Sequence, residues 1–466
     1  MTTTVPELVL PLHKTQYYAL NAPAQEVLFG GAAGGGKSYL LRAAAIIWCM
    51  AVPGLQVYLF RRTYDDLHKN HMEGANNFHE LLAPLVQAGL CSIVENQIRF
   101  WNRAKINLSH GSNYKTIVER YQGREINALL MDEATHFSEQ EYRYLRGRCR
   151  ISFEVPDHVP WKFPRVLAGT NPGGRGHHYW KDGFVDHEAF TLHKAPELDG
   201  GRDRMFIPSK LTDNPTMTKY DPNYASTLSG LGDPLLVKAL RDGDWNVIAG
   251  SMFADKWRQE MHVIDPFPIP FNWPIWRGGD DGYAAPAAVS WLTKDPLFGT
   301  QFVIAELLQA KMTAPVFAER TLAIDRCIPK IDASGEIYLN YEEISGAMDT
   351  ASFANTGQSK ESRGAQMNAL GTRWQKTVKS KDARVMDVQN MQRLLDPNPN
   401  DPRNRPGIMF FRHCRNHIKA IPALMRDEKK PEDVDTADKY DHLWDSTRYA
   451  LSAASSGSGL RKRRGV

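Results

Sequence analysis

A phosphate-binding loop constrains this chain more than any other feature of its sequence. Residues 31–38 read Gly-Ala-Ala-Gly-Gly-Gly-Lys-Ser, a glycine, four further residues and then glycine, lysine and serine. The loop follows an apolar run at 26–29 and precedes an alanine-rich run at 39–50, which is the strand, loop and helix order that this motif requires. Because glycines let successive N–H groups point at phosphate oxygens, the sequence predicts a nucleoside triphosphate site. A glycine-rich turn without a ligand is the less favoured alternative.

The residue types within the loop predict separate tasks. Lys37 is expected to reach the β- and γ-phosphates, and the Ser38 hydroxyl is expected to hold Mg²⁺. The glycines that we expect to contact ATP are Gly31, Gly34, Gly35 and Gly36. The loop therefore predicts both ATP and a magnesium ion as ligands of the N-terminal half.

An acidic pair further along the chain suits the same chemistry. The apolar run 128–131 predicts a buried strand that ends in Asp132 and Glu133, at the edge where an open α/β sheet places its chemistry. We expect Asp132 to complete the Mg²⁺ shell and Glu133 to orient or deprotonate the attacking water. Acidic strand ends are common in proteins, so this pair gains its meaning from the phosphate-binding loop.

Further strands are predicted at 55–60 and 164–168. A long polar helix is predicted after the first of these strands and the residues 61–64, and it runs through Glu80. The alternation of strands and helices favours an α/β domain with a parallel sheet. The strand at 164–168 ends near Thr170 and Asn171, whose side chains are able to hydrogen-bond a phosphate or the attacking water. We predict that this pair couples nucleotide state to neighbouring segments. A simple turn built from Asn-Pro and Gly-Gly explains the same residues equally well.

The second half of the chain carries separated carboxylates. Asp280 begins a hairpin predicted from strands at 287–292 and 301–308, Asp349 ends a later strand, and a third acidic cluster lies at 438–445. Carboxylates from separated segments can bind two divalent cations about 4 Å apart, which activate a water and steady the leaving oxygen of a phosphodiester. Acids at strand and helix starts are common, so for any single residue a solvated acid is the favoured alternative.

Size and composition restrict the class of protein. A chain of 466 residues is expected to form two or three domains. No stretch approaches the roughly 18 uncharged apolar residues of a membrane span, and the N-terminus has no basic segment before an apolar one, so neither a membrane span nor secretion is expected. Five cysteines without metal-site spacing favour a reducing compartment. The net charge of +4 is too small to indicate a nucleic-acid partner by itself.

Four motifs taken together resemble one protein family. They are Gly31–Ser38, Tyr121–Gly123, Leu130–Thr135 and Gly169–Pro172. The set resembles the large terminase subunit of tailed bacteriophages, the motor that packages DNA into procapsids, and the likeness runs nearly end to end. The resemblance implies an α/β fold with an N-terminal P-loop NTPase parallel-sheet domain and a C-terminal ribonuclease H-like nuclease domain.

The resemblance also implies roles for residues of the ATPase half. Gln16 stands where the family places a glutamine that reads the adenine edge, for which an amide has the required donor and acceptor. In related ring ATPases an arginine from the neighbouring subunit stabilises the transition state, and Arg124 is the candidate here. Its rivals are Arg146, Arg148 and Arg150. For each arginine taken singly, a solvated surface position is the favoured alternative.

The order of the acids in the second half resembles the family's nuclease centre, with Asp280 first, Asp349 second and Asp441 third. The resemblance implies that these catalytic carboxylates bind two Mg²⁺ or Mn²⁺ ions. Further candidate ligands are His442, Asp445 and Glu306. Asp281 departs from the family pattern, which leaves open which of the two adjacent acids faces the metal. Basic side chains that suit a DNA backbone are Lys379, Lys381, Arg384, Arg403, Arg405, Arg412 and Arg415. A solvated helix face explains some of them equally well.

The resemblance and the shifts in composition predict five regions. They are an ATPase core at 1–195, a linker subdomain at 196–249, a connector at 250–273, the nuclease domain at 274–455 and a flexible basic tail at 456–466. The implied partners are double-stranded DNA held by its backbone, the portal protein and the small terminase subunit. The family implies a monomer in solution that forms a ring, a pentamer, on the portal. Its expected location is the host cytoplasm and the procapsid portal vertex, and not the mature virion.

The predicted function is therefore DNA packaging. ATP hydrolysis in the first half drives duplex DNA into the procapsid, and a metal-dependent endonuclease in the second half cuts the concatemeric genome at the start and end of packaging. Two alternatives stay open. One is a DNA-dependent ATPase or helicase whose second half binds DNA without cutting it, and the other is a capsid-vertex component with a vestigial nucleotide site.

Overall fold

The computed structural model describes residues 6–247, 250–283, 285–354, 361–377, 383–427, 430–436 and 440–455. The chain divides into two compact units, Met1–Gly250 and Ser251–Val466. In the described part of the chain, no helix is both long and apolar enough to span a membrane. The finer division into core, linker, connector and tail stays a prediction, and the tail at 456–466 lies outside the described residues.

A nine-stranded sheet forms the centre of the first unit. Its strands are β1 (Glu26–Gly31), β2 (Gln56–Arg61), β3 (Cys91–Val94), β4 (Gln97–Phe100), β5 (Lys105–His110), β6 (Ala128–Asp132), β7 (Arg165–Thr170), β8 (His193–Lys194) and β9 (Asp203–Ser209). Their order across the sheet is β3-β4-β5-β2-β6-β7-β1-β9-β8. The six strands from β5 to β9 in that order pair in parallel, and β3, β4 and β8 add antiparallel edges. The predicted parallel-sheet class is confirmed.

The α-helices described in the first unit lie before, between and after these strands along the chain. They are α1 (Lys14–Asn21), α2 (Lys37–Ala51), α3 (Tyr64–His68), α4 (Phe78–Gln87), α5 (Tyr114–Tyr121), α6 (Glu139–Arg146), α7 (His177–Trp180), α8 (Pro215–Tyr220), α9 (Tyr224–Ser229) and α10 (Pro234–Val237). Every residue of β1, β6 and β7 is buried, which is the pattern of strands covered on both faces. The centre of the sheet is therefore rigid, and its carboxyl edge is a firm platform for a site.

The predicted long polar helix through Glu80 is wrong. α3 gives way to a π-helical turn at Lys69–Glu73, and α4 begins only at Phe78. Thr63 and Asn77 each accept a backbone N–H through their side chains, so each starts a new helix. Local capping residues thus divided a segment whose polarity suggested one continuous helix.

The described strands of the second unit are β10 (Val263–Ile264), β11 (Ile269–Pro270), β12 (Ile275–Asp280), β13 (Ala287–Lys294), β14 (Gln301–Gln309), β15 (Pro329–Ile331), β16 (Ile337–Leu339), β17 (Gly346–Met348), β18 (Trp374–Lys376) and β19 (Ile408–Phe411). One sheet has the order β10-β19-β14-β13-β12-β17-β18, and β11, β15 and β16 form a smaller one. β12, β13 and β14 form an antiparallel meander, and β17 and β18 continue in parallel beside β12. This is the ribonuclease H-like arrangement, so the second predicted class is also confirmed.

The helices described in the second unit are α11 (Gln259–His262), α12 (Ala314–Cys327), α13 (Arg363–Ala369), α14 (Ala383–Leu395), α15 (Arg415–Ala420) and α16 (Asp441–Ser455). α16 lies directly on β12, where Gly278 meets the backbone of Ser446 and Ala450. This close approach fixes α16 along the strand. It also brings the first turn of α16 to the carboxyl end of β12, where Asp280 lies.

We expect Gly278→Ala to destabilise the second unit by about 3 kcal/mol, because an added Cβ would overlap the backbone of Ser446 and Ala450. Thermal unfolding of the purified variant measures the loss. Gly335→Ala is the matched control, since this glycine lies in open space at φ +90°. There the left-handed backbone alone should cost about 1 kcal/mol. Equal losses at the two positions would contradict the close contact between α16 and β12.

Candidate functional site

Neighbouring strand ends bring the nucleotide site together. β1, β7 and β6 lie side by side and pair Gly30 with Thr170 and Gly169 with Asp132. Because parallel strands present their carboxyl ends at one edge of the sheet, the loop after β1 lies close to the acidic pair after β6. The sheet thus places the three motifs that the sequence analysis selected at a single edge.

The phosphate-binding loop has the backbone that its glycines predict. Gly34 and Gly36 have φ angles of 75° and 76°, in the left-handed region that a side chain would strain. A Cβ at Gly35 would overlap the Ser209 hydroxyl, and a Cβ at Gly36 would overlap the Gln16 amide. Both the backbone angles and the close packing therefore require glycine here.

Lys37 and Ser38 face the acidic pair. The Lys37 Nζ donates to the carbonyl oxygen of Ala32 at 2.6 Å, and the Ser38 Oγ donates to both carboxylate oxygens of Asp132 at 3.3 Å. Burial lowers the pKa of Lys37 to about 8, although the charges of Asp132 and Glu133 act to raise it. The loop and the acid of β6 therefore share one small space that carries both signs of charge.

Asp132 is held by two further side chains beside Ser38. Its Oδ2 lies 3.1 Å from the His71 Nε2 and 3.4 Å from the Arg61 Nη1. Burial acts to raise the pKa of Asp132, but the hydrogen bond and charge of His71, the charge of Arg61 and the Ser38 hydrogen bond together lower it. Asp132 is therefore a carboxylate, which is the state that binds magnesium.

Glu133 has an uncommon backbone, with φ 54° and ψ 51°. The Arg61 Nη2 donates to its Oε1 at 2.5 Å, and the His136 Nδ1 lies 3.2 Å from its Oε2. Burial acts to raise the pKa of Glu133, but His136 and Arg61 together lower it. Because strained backbones cluster at functional sites, this conformation supports a functional position for Glu133.

Arg61 and His71 are site residues that the sequence analysis missed. Arg61 ends β2, the neighbour of β6, and so reaches both acids of the pair. Its signal in the sequence was an arginine pair directly after an apolar strand. His71 lies on the π-helical turn at Lys69–Glu73, and no local pattern points to it.

The end of β7 uses its two polar residues differently. The Thr170 Oγ1 lies 2.7 Å from the Thr135 Oγ1 and accepts the Thr135 N–H at 3.2 Å, so Thr170 joins β7 to the segment that follows Glu133. The Asn171 Oδ1 is buried and has no hydrogen-bond partner within the described residues. Since an unpaired buried acceptor is costly, Asn171 suits a donor from outside the protein better than Thr170 does. The coupling role of the pair stays a prediction.

Gln16 braces the phosphate-binding loop. Its Oε1 accepts the His13 N–H at 2.8 Å, and its Nε2 donates to the carbonyl oxygen of Gly36 at 2.9 Å. Asn214, which the sequence analysis did not single out, donates to the carbonyl oxygen of Gly34 at 2.7 Å. The reading of adenine by Gln16 stays a prediction. It requires this amide to give up its hydrogen bonds to His13 and Gly36 in exchange for bonds to the base.

The four candidate arginines differ in their surroundings. Arg146 is buried in ion pairs with two acids, and Arg148 stacks on a tyrosine ring. Arg150 pairs with Glu125 at 3.5 Å. Arg124 differs from the other three because it is exposed and also has no ion pair within the described residues. Its guanidinium is therefore the most available to a neighbouring subunit.

The first two acids of the candidate nuclease centre lie at adjacent strand ends. β12 pairs in parallel with β17, with Gly279 opposite Met348, and Asp280 and Asp349 occupy the next positions. The His442 Nδ1 lies 2.5 Å from the Asp280 Oδ2. Burial and the charges of Asp445 and Asp349 raise the pKa of Asp280, although the hydrogen bond of His442 opposes them. Burial and the two neighbouring carboxylates thus both act against the charged form of Asp280.

Asp281 lines the same cavity of about 230 Å³ as Asp280 and Asp349, but its contacts differ from those of Asp280. Its two carboxylate oxygens accept from Arg363 on α13, at 2.7 Å from Nε and 2.8 Å from Nη2. Asp280, in contrast, contacts His442 on α16. Asp281 is thus paired with a cation of the protein, and the assignment of Asp280 as the metal-binding acid of this pair stays a prediction.

The third acidic cluster lies on the first two turns of α16. Arg384 joins its two acids, with Nη2 at 2.9 Å from the Asp441 Oδ1 and Nη1 at 2.8 Å from the Asp445 Oδ1. Burial and the charge of Asp445 raise the pKa of Asp441 to about 6, although Arg384 acts to lower it. Asp445 also accepts from the Arg448 Nε at 2.7 Å. Protein cations therefore partly balance these carboxylates.

The described residues contain no group of three His, Cys, Asp or Glu side chains close enough to hold one metal ion. The donor types nevertheless suit a hard divalent cation, because carboxylate oxygens are its preferred ligands and Asp280 and Asp349 follow directly after paired positions of two parallel strands. The convergence of Asp280, Asp349 and Asp441 on shared ions stays a prediction.

Glu306 has a structural task in this unit. It accepts from the His417 Nδ1 at 2.7 Å and from the backbone N–H groups of Asn416 and His417 at 2.9 and 3.0 Å. These contacts commit both of its oxygens to the start of α15 and not to the acids beside β12. The geometry does not favour the predicted auxiliary metal ligand.

Some of the predicted basic residues form ion pairs with acids of the same chain, and others are exposed. Arg405 pairs with Asp401 at 2.6 Å, and Arg412 pairs with Asp265 at 2.6 Å. Arg403 also pairs with Asp401, and Arg415 is exposed. Two of the predicted set, Lys379 and Lys381, lie outside the described residues. Contact of this group with DNA stays a prediction.

Similarity to known proteins identifies the family. Residues 28–260, half of the chain, match the family model described as terminase large subunit, T4-like-virus type, N-terminal. The chain belongs to this terminase family. The terminase match contains the nucleotide site and ends before Asp280. No curated protein matches the chain.

Solved structures of large terminases are also similar to it. The large terminase of bacteriophage HK97 has 11% identity and a TM-score of 0.47, and the match covers 95% of each chain. A large terminase from a thermophilic bacteriophage, in complex with ADP, has 16% identity and a TM-score of 0.40 over 96% of this chain and 100% of that chain. The large terminase nuclease domain of bacteriophage SPP1, with bound Mn, has 16% identity and a TM-score of 0.28 over 41% and 97%.

Proposed function

We propose that this terminase chain is a DNA-packaging motor that hydrolyses ATP to move duplex DNA through a portal into a procapsid, and that its second unit cuts the concatemeric genome. The main support is that a chain of this family has two separate clusters of residues that suit phosphate chemistry, one directly and one through bound metal. One is a phosphate-binding loop beside Asp132, and the other is a pair of carboxylates at adjacent strand ends. The proposed ligands are ATP with Mg²⁺ at the first site and two Mg²⁺ or Mn²⁺ ions at the second. The proposed partners are the portal protein, the small subunit and further copies of the chain in a ring.

The residues of the first site have distinct roles in the proposed hydrolysis. Lys37 neutralises charge that develops on the β- and γ-phosphates, and Ser38 and Asp132 hold the magnesium ion. Glu133 orients the attacking water and accepts its proton. Because Arg61 contacts both Asp132 and Glu133, it sets the positions of the two carboxylates relative to each other. The hydrogen bond between Thr135 and Thr170 links this segment to the next strand end.

In the proposed nuclease, Asp280 and Asp349 hold metal together with an acid of α16. A bound divalent metal supplies an activated water and stabilises the leaving oxygen of the phosphodiester. The His442 imidazole, hydrogen-bonded to the Asp280 Oδ2, keeps this carboxylate oriented. Exposed basic residues hold the DNA by its phosphates and read no base sequence.

The direct test of the proposed motor is movement along intact duplex DNA. The purified chain, assembled on its portal, should displace a triplex-forming strand from linear duplex only when ATP is present. The duplex itself should stay paired. Unwinding of a forked duplex would favour a helicase. Absence of any ATP turnover with portal and DNA present would favour a vestigial nucleotide site.

Arg124→Ala is expected to lower ATP turnover of the assembled ring by roughly 1,000-fold, because an arginine supplied in trans stabilises the transition state by about that factor. Phosphate release measures the effect. Mixing these subunits with Lys37→Ala subunits should restore part of the activity, since an intact site then meets an intact arginine. Arg150→Ala, which removes an exposed arginine paired with Glu125, is the matched control and should change little. A mixture as inactive as its components would contradict the trans role.

A further inference from the structure

A single arginine holds the acidic face of α16. Arg384, the second residue of α14, donates to Asp441 at 2.9 Å through Nη2 and to Asp445 at 2.8 Å through Nη1. Its Nε donates to Asp433 at 3.1 Å. The three nitrogens of one guanidinium thus serve three carboxylates, which is a far larger share than a surface arginine usually has.

Arg384 takes the place of a cation between the two acids of α16. Asp441 and Asp445 are one helical turn apart and therefore lie on one face of the helix, where two carboxylates repel each other unless a positive charge lies between them. A planar guanidinium matches this geometry because it offers two donors side by side. A divalent ion seated between these acids would occupy the position that the guanidinium holds between the two Oδ1 atoms. The guanidinium and the metal are therefore competitors.

The surroundings place this competition beside the strand-end acids. Arg384, Asp445 and Asp349 line one cavity of about 690 Å³, together with Arg448. Asp349 follows β17, the parallel neighbour of the strand that ends in Asp280. Arg448 is not an equivalent bridge, because of the two acids of α16 it contacts only Asp445. The bridging position belongs to Arg384.

We propose that Arg384 is a positioning residue that competes with divalent metal for Asp441 and Asp445, and that the phosphate backbone of duplex DNA withdraws it. This inference rests on the proposed nuclease function. A DNA phosphate offers a guanidinium the same paired acceptor oxygens as a carboxylate does. When Arg384 moves to a phosphate, Asp441 loses this partner and Asp445 keeps only Arg448 among the described residues, so the two acids bind the metal instead.

This exchange makes metal binding and DNA binding favour each other. By linkage, a duplex that withdraws Arg384 raises the metal affinity, and the metal raises the affinity for the duplex by the same factor. The centre then binds its metal more tightly when a duplex is seated on it. Such an exchange restrains cutting while DNA moves through the motor.

The test is Mn²⁺ binding to the full chain by titration calorimetry, without DNA. Arg384→Gln is expected to bind Mn²⁺ about 10-fold more tightly than the unaltered chain, within the usual range of coupling between two sites. Mn²⁺ should also raise the melting temperature of Arg384→Gln by more than it raises that of the unaltered chain. A short phosphorothioate duplex that resists cutting should increase the Mn²⁺ affinity of the unaltered chain and leave that of Arg384→Gln unchanged.

Controls separate this exchange from a general loss of charge. Arg412→Gln removes an exposed arginine of the same unit, paired with Asp265, and should leave Mn²⁺ binding unchanged. Adding Asp445→Asn to Arg384→Gln should remove the gain in Mn²⁺ affinity. If Arg384→Gln does not fold, Arg384→Lys provides the same comparison with a smaller gain, because an ammonium keeps the charge but does not bridge in the same plane.

The outcomes are distinguishable. Mn²⁺ binding that is equal or weaker in folded Arg384→Gln than in the unaltered chain would overturn the exchange while leaving the nuclease proposal intact. If no protein binds Mn²⁺, with or without duplex, the nuclease proposal itself fails, and this inference fails with it.

Discussion

Lys37→Ala is expected to lower ATP turnover by roughly 100- to 1,000-fold, because removing one preorganised positive group from a developing phosphate charge costs about that much. Lys37 is half-buried and donates to the carbonyl oxygen of Ala32 within the phosphate-binding loop, so its ammonium is held in place there. Phosphate release in the presence of linear duplex and portal measures the loss. Metal-dependent DNA cutting should be unaffected, since the second unit has its own site.

Two comparisons sharpen this result. Lys115→Ala removes an exposed lysine of the same unit and should leave turnover unchanged. Glu133→Gln should lose turnover to a similar extent but keep nucleotide binding, because it removes the proton acceptor and leaves the phosphate-binding loop intact. Normal turnover in Lys37→Ala would exclude the loop as the hydrolytic site.

Asp280→Asn is expected to reduce metal-dependent nicking of supercoiled plasmid by at least about 100-fold, because loss of a ligand charge weakens a metal that both activates water and stabilises the leaving oxygen. Gel analysis of relaxed and linear plasmid in Mn²⁺ measures the effect. ATP turnover should stay within a factor of about two of normal, since the substitution does not touch the first unit.

The neighbouring acid provides the control for this variant. Asp281→Asn makes the same chemical change one residue away, at a side chain whose two oxygens accept from Arg363. Asp281→Asn should lower the melting temperature of the chain, because Arg363 loses its charged partner, and it should leave most of the metal-dependent cutting intact. If Asp281→Asn removed cutting and Asp280→Asn did not, the assignment of the two acids would be reversed.

The sequence predicted those parts of the structure that depend on local pattern. The phosphate-binding loop and the acids after β6 are short motifs whose spacing requires a strand before them, and parallel strands must end at one edge. Their proximity therefore followed from the motifs. The ribonuclease H-like sheet of the second unit, in contrast, was predicted from the resemblance to large terminases and not from local pattern alone.

Contacts between distant segments were not predictable in this way. Arg61 and His71 reach Asp132 because β2 neighbours β6 and because a π-helical turn follows α3. Neither relation leaves a periodic signal in the sequence. Glu306 is the reverse case, since an acid on β14 suggested a metal ligand, whereas the fold pairs it with the start of α15.

The same limit applies to charges. Sequence shows that Arg384 is basic, which suggests a solvated contact to DNA, but only the fold brings it between Asp441 and Asp445. The function of an arginine depends on the partners that the fold supplies. Gln16 is a similar case, because its amide is the predicted adenine reader and yet both of its polar atoms hold protein groups.

The central claim is that one chain contains two separate metal-dependent phosphate chemistries, and the most direct measurement is a crystal structure with Mn²⁺ and a short uncut duplex. We expect anomalous scattering peaks bound by Asp280 and Asp349, with an acid of α16 as a further ligand and Arg384 on a DNA phosphate. A well-ordered duplex in the second unit with no peak beside Asp280, and with the three acids directed apart, would contradict it.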